Sequence, residues 1–446
     1  MTIYQERRRR ALEDFANGVA VIPSATLHLR NNDTEFEFRQ NSDFFYLTGF
    51  DEPDALLVLA PSGAEHRTIL FLRERDRAME IWNGKRLGVE RACETLGIDA
   101  AYSVEELDER LPRYLTGVDT LYYQLGNERF DARVRTALAK ARTLTRRSGT
   151  APDTITDPSE RIHAYRQIKS GPEIELLRRG AEITRRGFVA AMKATRPGLF
   201  EYEVEALLEY EFHRAGAQRE AYESIVASGD NATILHYNTN RDRLADGDLL
   251  LIDAACEYEY YATDVTRTWP VNGRFSAEQR AIYEIVLAAQ EAAIATLQPG
   301  APQRAFHQAA VRVITEGLID LGLLSGSIDE NLERETYREY YMHGTGHWLG
   351  MDVHDVGRYR DRSDEPVALM PGMVTTVEPG IYVQRDAACD ERFRGIGVRI
   401  EDDLVITERG SENLTAAIPK SIEELEAIVG SCELEFSAQK GSSAAI

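Results

Sequence analysis

Four carboxylates and a group of histidines are the side chains best suited to chemistry. Asp253 closes the apolar run Leu249-Leu250-Leu251-Ile252, and Asp264 follows within YYATDVTRTW. The segment between them is long enough for an antiparallel hairpin, which would set the two carboxylates at neighbouring positions. Two such carboxylates repel unless something positive lies between them. A second pair is Glu378, at the end of Val374-Thr375-Thr376-Val377, and Glu401, read as mid-strand in Val398-Arg399-Ile400-Glu401. Strand alternation puts Arg399 on the face of Glu401. A plain structural ion pair and a functional role are both open for Glu401 on these grounds.

Of nine histidines, His343, His347 and His354 fall in YMHGTGHWLGMDVHDVG, and His236 stands in ILHYNTN ahead of the first acidic strand. The spacing of His343 and His347 resembles a helical metal pair, but Gly344 and Gly346 argue against a helix. No glutamate follows His343, so this is not the HExxH zinc motif. Two Asp, two Glu and at least one His suit two divalent cations, because carboxylates bridge metals and imidazole favours first-row transition ions. Two such ions acidify a water and polarise a substrate oxygen, which points to hydrolysis.

These residues need elements to hold them. GVAVIPS (18–24), DALLVLAP (54–61), RTILFLR (67–73) and TLYYQL (120–125) read as strands, interleaved with helical patterns, which suggests an α/β first domain. In SVEELDERLPRYL, Ser103 and Glu106 suggest a capping box. The polar stretch 146–160 reads as a linker. Beyond it, helices are expected from Ser170-Gly171-Pro172, through Val204 to Phe212, and from Ser276 to Pro299-Gly300. Strand-like runs follow at 248–255, 260–269, 373–383 and 397–407, so each half of this region pairs helices with strands that carry two acids.

The chain has 446 residues, 43% hydrophobic and 28% charged, with 52 Lys+Arg against 74 Asp+Glu and a net charge of −22. That excess of acid argues against nucleic-acid partners. Four scattered cysteines fit a reducing compartment without a disulfide framework. No run approaches the length of a membrane span, and Arg7 to Arg10 read as the solvated face of a first helix whose apolar side is Ile3, Ala11 and Phe15. A cytoplasmic protein is expected.

The stretches LLLIDAACEYEYYATDVTRTWPVNGRFS, YMHGTGHWLGMDVHDVG, MVTTVEPGIYV and GVRIEDDLVIT resemble the aminopeptidase P branch of the pita-bread metallopeptidases, which also include prolidases and methionine aminopeptidases. RQNSDFFYLTGFDEPDALLVL (39–59) and EIWNGKRLG (80–88) resemble that branch's N-terminal domain, so the likeness runs to about residue 435. It implies a non-catalytic α/β N-terminal domain at 1–160 and an α+β pita-bread (creatinase/aminopeptidase-like) catalytic domain at 161–435. A loose tail is expected at 436–446.

The resemblance also implies a site. Asp253, Asp264, His347, Glu378 and Glu401 would hold two divalent ions, usually Mn2+, with Asp264 and Glu401 shared between them. His343 lies outside that ligand set. Glu378 would also move a proton, and His354 or His236 would stabilise the developing oxyanion, with His343 and Arg399 as further catalytic candidates. Trp82, Tyr382 and Arg362 match substrate-contacting positions, Trp82 from a neighbouring subunit. Ala254 stands where relatives often have glycine, and the length of 357–370, which carries Arg362, departs from the common pattern. The implied activity is hydrolysis of the Xaa-Pro bond at a peptide N-terminus by a homodimer or homotetramer. A prolidase restricted to Xaa-Pro dipeptides is the alternative, and a non-catalytic peptide-binding relative a more remote one. The N-terminal signature points away from a methionine aminopeptidase.

Overall fold

The computed structural model describes residues 1–61 and 63–432, so the expected tail at 436–446 lies outside the described residues. The chain divides into two compact units, one spanning residues 1–166 and the other beginning at Gln167.

The first unit is built on a six-stranded mixed sheet. Its strands are β1 (Gly18–Pro23), β4 (Leu56–Leu59), β5 (Thr68–Leu72), β6 (Ala100–Ser103), β7 (Thr120–Tyr122) and β8 (Thr154–Thr156), in the order β6-β5-β4-β1-β7-β8. A small hairpin of β2 (Leu29–Asn31) and β3 (Thr34–Glu35) stands apart. The central strands are apolar on both faces because both are covered. Val19, Val21, Leu56, Val58, Ile69 and Phe71 share a core with Phe130, Val134 and Ala137 of the helix Glu128–Leu144.

Three expectations for this unit need correction. The polar stretch 146–160 is more than a connector, since β8 adds an edge strand parallel to β7. Ser103 and Glu106 form no capping box. A 3-10 turn intervenes at Val104–Glu106, with Ser103 accepting from the Glu105 amide, and Glu106 instead pairs with Arg110 at 2.6 Å. Arg7 and Arg8 do not face solvent. Arg8 is buried and donates to the carbonyls of Leu47, Leu96 and Gly97, where two helices end, while Arg7 donates to Tyr46 and lies 3.8 Å over its ring. The helix ends Ser42–Thr48 and Val89–Leu96 leave carbonyls that a guanidinium can satisfy from inside.

In the second unit two helical hairpins, Gly171–Ala194 with Glu201–Arg214 and Ala277–Ala295 with Ala305–Asp320, back two sets of strands. The helices expected from Ser170 and Ser276 begin there, each with a capping box at its N-terminus. The first set contains β9 (Arg219–Glu220), β10 (Ile225–Ser228), β11 (Leu249–Asp253), β12 (Cys256–Tyr258), β13 (Tyr261–Ala262) and β14 (Thr266–Pro270). β11 pairs antiparallel with β10 and β14, and β12 pairs with β9 and β13 in a separate small sheet. The tight turn of that inner hairpin puts Glu259 and Tyr260 at φ 50 and 69. Two consecutive residues with positive φ suit the twist of a two-residue hairpin loop. The second set contains β15 (Val374–Val377), β16 (Gly380–Val383), β17 (Ile396–Arg399), β18 (Asp402–Thr407) and β19 (Gly410–Asn413). Here β15 pairs with β18 and β16 with β17.

Asp264 and Glu401 therefore do not lie inside strands, as the sequence suggested. Asp264 sits in the gap between β13 and β14, and Glu401 between β17 and β18. The register explains the gap at Glu401: Val377 faces Asp402 and Gly380 faces Arg399, so the two segments change sheets together and leave Glu378-Pro379 opposite Ile400-Glu401.

Behind this crossing lies a buried ion-pair group. Arg267 and Asp402, both with side chains 0% exposed, meet at 2.7 Å, and Lys420 reaches Asp402 at 2.6 Å. These two cations outweigh burial and hold the Asp402 carboxyl well below the usual carboxylate range. Asp402→Ala would leave Arg267 buried without its counter-charge, and is expected to lower unfolding free energy by about 3–5 kcal/mol. Urea midpoints of the two proteins check this.

Candidate metal centre

Asp253, Asp264, His347, Glu378 and Glu401 all line one cavity of about 310 Å3. Each arrives from a different local device. Asp253 ends β11, held in register by Ile225 on one side and Thr266 on the other. Asp264 is fixed by its own amide, which donates to the buried Asp403 at 3.1 Å. Glu401 accepts from the Thr266 hydroxyl at 2.7 Å, and its amide donates to the Thr266 carbonyl at 3.0 Å.

His347 rides on the glycine loop 343–347, not on a helix. The Thr376 amide donates to its carbonyl at 3.0 Å, and the Glu378 amide donates to the Thr345 carbonyl at 2.7 Å. Gly346 is required here, because a Cβ would overlap the Thr376 carbonyl oxygen. The loop thus lies flat against β15 and carries His347 to the acids. His347 Nε2 stands 3.3 Å from Asp264 and 3.8 Å from Glu378. Ligand atoms of Asp264, His347 and Glu401 lie within 4.8 Å of one another.

The electrostatics show what this arrangement lacks without a cation. Burial and then the neighbouring carboxylates push Glu401 well above the usual carboxylate range. Burial raises Asp253 against the pull of Arg399, and raises Glu378 to about 8 although His347 opposes it. Burial works to lower His347, yet the hydrogen bond and charge of Asp264 lift it to about 9. Four converging carboxylates with one imidazole are oxygen and nitrogen donors of the kind that first-row divalent ions take. Protons are the substitute that cluster holds when no cation is there. Asp403 adds a further sign: its Oδ1 is buried without a partner, and burial beside Asp264 raises its carboxyl well above normal.

Around the five, the remaining candidates separate. Arg399 does not pair with Glu401. Its guanidinium donates to Asp253 at 2.7 Å, to the Tyr382 hydroxyl at 3.0 Å and to Thr266 at 3.1 Å. Tyr382 is in turn 2.8 Å from His343 Nε2, and His343 Nδ1 lies 3.6 Å from Glu378. Burial and Arg399 depress His343 to about 3, so it is neutral. Tyr382 is fully buried beneath these groups and orients Arg399 and His343. His354 packs edge-on against the His347 ring at 4.4 Å between centroids, and it and His236 line the cavity.

Three candidates are absent from the lining of the cavity: Tyr382, which is buried behind it, Arg362 and Trp82. Arg362 is exposed, in a turn held by Asp361, whose carboxylate accepts from the amides of Ser363 and Glu365. Trp82 belongs to the first unit, where it is 84% exposed beside Ile81 at 79%.

Sequence reasoning missed Tyr222, whose hydroxyl lies 2.6 Å from both Asp253 Oδ1 and Asp264 Oδ1. It carries no motif. The only available signal was the apolar run Ile225-Val226-Ala227, whose pairing with β11 brings Tyr222 to the acids. Asp403 was missed because it looks like an ordinary strand residue.

Fold and centre together define a divalent-metal hydrolase whose metal-binding half is made of two strand sets crossing at four acids. Residues 175–408 match the model of metallopeptidase family M24, and residues 4–122 match the aminopeptidase P N-terminal domain. Among relatives, the Xaa-Pro aminopeptidase of Escherichia coli is 47% identical over 430 residues, covering 96% of this chain and 97% of that protein. Human Xaa-Pro aminopeptidase 3 is 36% identical over 422 residues, covering 92% and 80%. The solved structure of the Pseudomonas aeruginosa aminopeptidase PepP matches with a TM-score of 0.93 at 47% identity, over 95% of this chain and 97% of that one. A zinc-substituted Escherichia coli aminopeptidase P in complex with product matches with a TM-score of 0.92 at 46% identity, over 96% and 97%. The chain belongs to metallopeptidase family M24, in its aminopeptidase P branch, and its second unit has the pita-bread fold.

Proposed function

We propose that this enzyme removes the first residue from peptides whose second residue is proline, with Asp253, Asp264, His347, Glu378 and Glu401 holding two divalent ions, Mn2+ in the native protein. The observation that carries the reading is the convergence of four buried carboxylates and one imidazole on a single cavity. The likeness to Xaa-Pro aminopeptidases over nearly the whole chain supports the substrate class. Bound divalent ions would acidify a water and polarise the carbonyl of the first residue.

The protein's own groups do the rest. Glu378, which lines the cavity, takes a proton from the water and delivers it to the proline nitrogen as the bond breaks. That nitrogen has no hydrogen in the substrate, since Xaa-Pro is a tertiary amide, so the delivered proton is the one it leaves with. His354 and His236 are the donors on hand for the oxyanion. Arg399, anchored by Tyr382, keeps Asp253 turned towards the cavity. The acids on this wall also suit the substrate's free amine, which would restrict cleavage to the N-terminus.

Two measurements test the reading. With Mn2+ supplied, Xaa-Pro-Yaa tripeptides are expected to be cleaved at a kcat/KM at least roughly tenfold above that of Xaa-Pro dipeptides. The opposite order would make the enzyme a prolidase. His354→Gln is expected to lower kcat about 100-fold with little change in KM, the signature of a donor that acts in the transition state. An unchanged kcat would remove His354 from the reaction.

The working form is a cytoplasmic homodimer or homotetramer in which Trp82 reaches a neighbouring subunit's substrate. Its 84% exposure beside Ile81 supports a buried position in an assembly, and four free cysteines agree with a reducing compartment. Light scattering that found an active monomer would overturn the assembly.

A further inference from the structure

A second cavity, of about 280 Å3, adjoins the metal centre and shares Asp253, Asp264, His236 and His354 with the first. The two lobes differ in everything else. The first contains Glu378, His343 and Arg399. The second has Tyr222, Ile225 and Val353 on its wall, and Glu223 with Asn238 completing it. Glu378 handles the proton for the leaving nitrogen under the function proposed above. The proline and the residues after it then occupy the first lobe, and the side chain of the first residue enters the second.

The chemistry of this second lobe is amphipathic and negative. Ile225 is 4% exposed and offers an apolar surface. Glu223 is exposed, and its carboxylate accepts from the Asn238 side-chain amide at 2.6 Å. That partner is neutral, so it orients the carboxylate without cancelling its charge. Among the described residues Glu223 forms no ion pair, and no lysine or arginine lines this cavity. A long side chain with an aliphatic stem and a cationic head matches such a lining: the stem lies on the apolar wall and the head meets the carboxylate.

We propose that Glu223, oriented by Asn238, makes the enzyme select peptides whose first residue is arginine or lysine and discriminate against those beginning with glutamate or aspartate. The inference rests on the function proposed above. Because Glu223 is in contact with solvent, the selection is moderate and salt-sensitive.

The test uses the Mn2+-loaded full chain and three tripeptides that differ only in their first residue: Arg-Pro-Ala, Leu-Pro-Ala and Glu-Pro-Ala. Wild type is expected to favour Arg over Glu by at least roughly 30-fold in kcat/KM, with the ratio shrinking as salt is raised to about 0.5 M. Glu223→Gln should lower the Arg-to-Leu ratio about three- to fivefold, and Glu223→Lys should turn the Arg-to-Glu preference over. Glu223 is exposed at the end of a loop, so neither change threatens folding. If wild type cleaves all three but the ratios do not move in the variants, this inference falls and the proposed function stands. If wild type cleaves none, both fall.

Discussion

Glu401→Gln is expected to lower kcat/KM for an Xaa-Pro-Yaa tripeptide by a factor of about 1,000 or more, and at the same time to make the metal-free protein harder to unfold. The two effects have one source. Glu401 is 2% exposed and faces three other carboxylates, and burial and those neighbours raise its pKa well above normal. Under the ligand set proposed above, that negative charge would help to hold the cations, and a neutral amide would remove a ligand worth several kcal/mol of transition-state stabilisation. Without cations the folded protein must keep a proton on Glu401 that the unfolded chain has already released at neutral pH. Glutamine needs no such proton, and its amide oxygen can still accept from Thr266, now at 2.7 Å from Oε2. The stabilisation should show at about pH 7.5 as a higher melting temperature in chelator. Kinetics, metal content by mass spectrometry and thermal melts in chelator test it together. A variant that loses activity and also melts lower in chelator would mean that Glu401 is a structural residue, and the ligand assignment would fail.

Much of this centre could be read in the residues, and the failures have a common physical cause. Local features are written in alternation and in spacing, and several of them hold: β11 and β15 fall within the expected runs, and the helices expected from Ser170 and Ser276 begin there. What one stretch cannot display is where the chain changes sheets. Alternation across 397–407 looks continuous, yet pairing breaks at Ile400-Glu401 because β15 and β16 choose different partners. That break frees Glu401 from a strand's face and turns it into the cavity. The same holds for Arg399, which strand alternation puts on the face of Glu401 but whose partners in space are Asp253 and Tyr382. Tyr222, Asp403 and the buried Arg8 are contacts between distant segments, and composition carries no trace of them. The four acids and His347 were legible by resemblance. Their geometry needed the fold.

Stripped of metal, the protein is expected to lose stability as pH rises from about 6.5 to 9, while the Mn2+-loaded form stays nearly flat. His347 and Glu378 set the window, and the raised carboxyls of Glu401, Asp253 and Asp403 act in the same direction. His347 has a folded pKa of about 9 against an ordinary 6.5. Its contribution is fully present below 6.5 and is lost as pH climbs through 9. Glu378 has a folded pKa of about 8 against an ordinary 4.5. From 4.5 upward the folded form binds a proton the unfolded chain has given up, so stability falls with pH until about 8. His343 works the other way, its pKa depressed to about 3, but its effect is complete once pH passes the ordinary 6.5. Glu209, raised to about 7 by burial, lies away from the centre and acts equally on both forms, so their difference is free of it. One pKa unit corresponds to about 1.4 kcal/mol, and because the two groups titrate together the loss across the window is on the order of 3 kcal/mol, roughly 5–10 °C in melting temperature. Bound divalent ions take the place of those protons, so the loaded enzyme has none to lose here. The measurement is a pair of melting curves, chelated and Mn2+-loaded, at half-unit steps between about pH 6 and 9. Parallel curves would mean that the metal does not bind where His347 and Glu378 titrate, and the centre would have to be sought elsewhere.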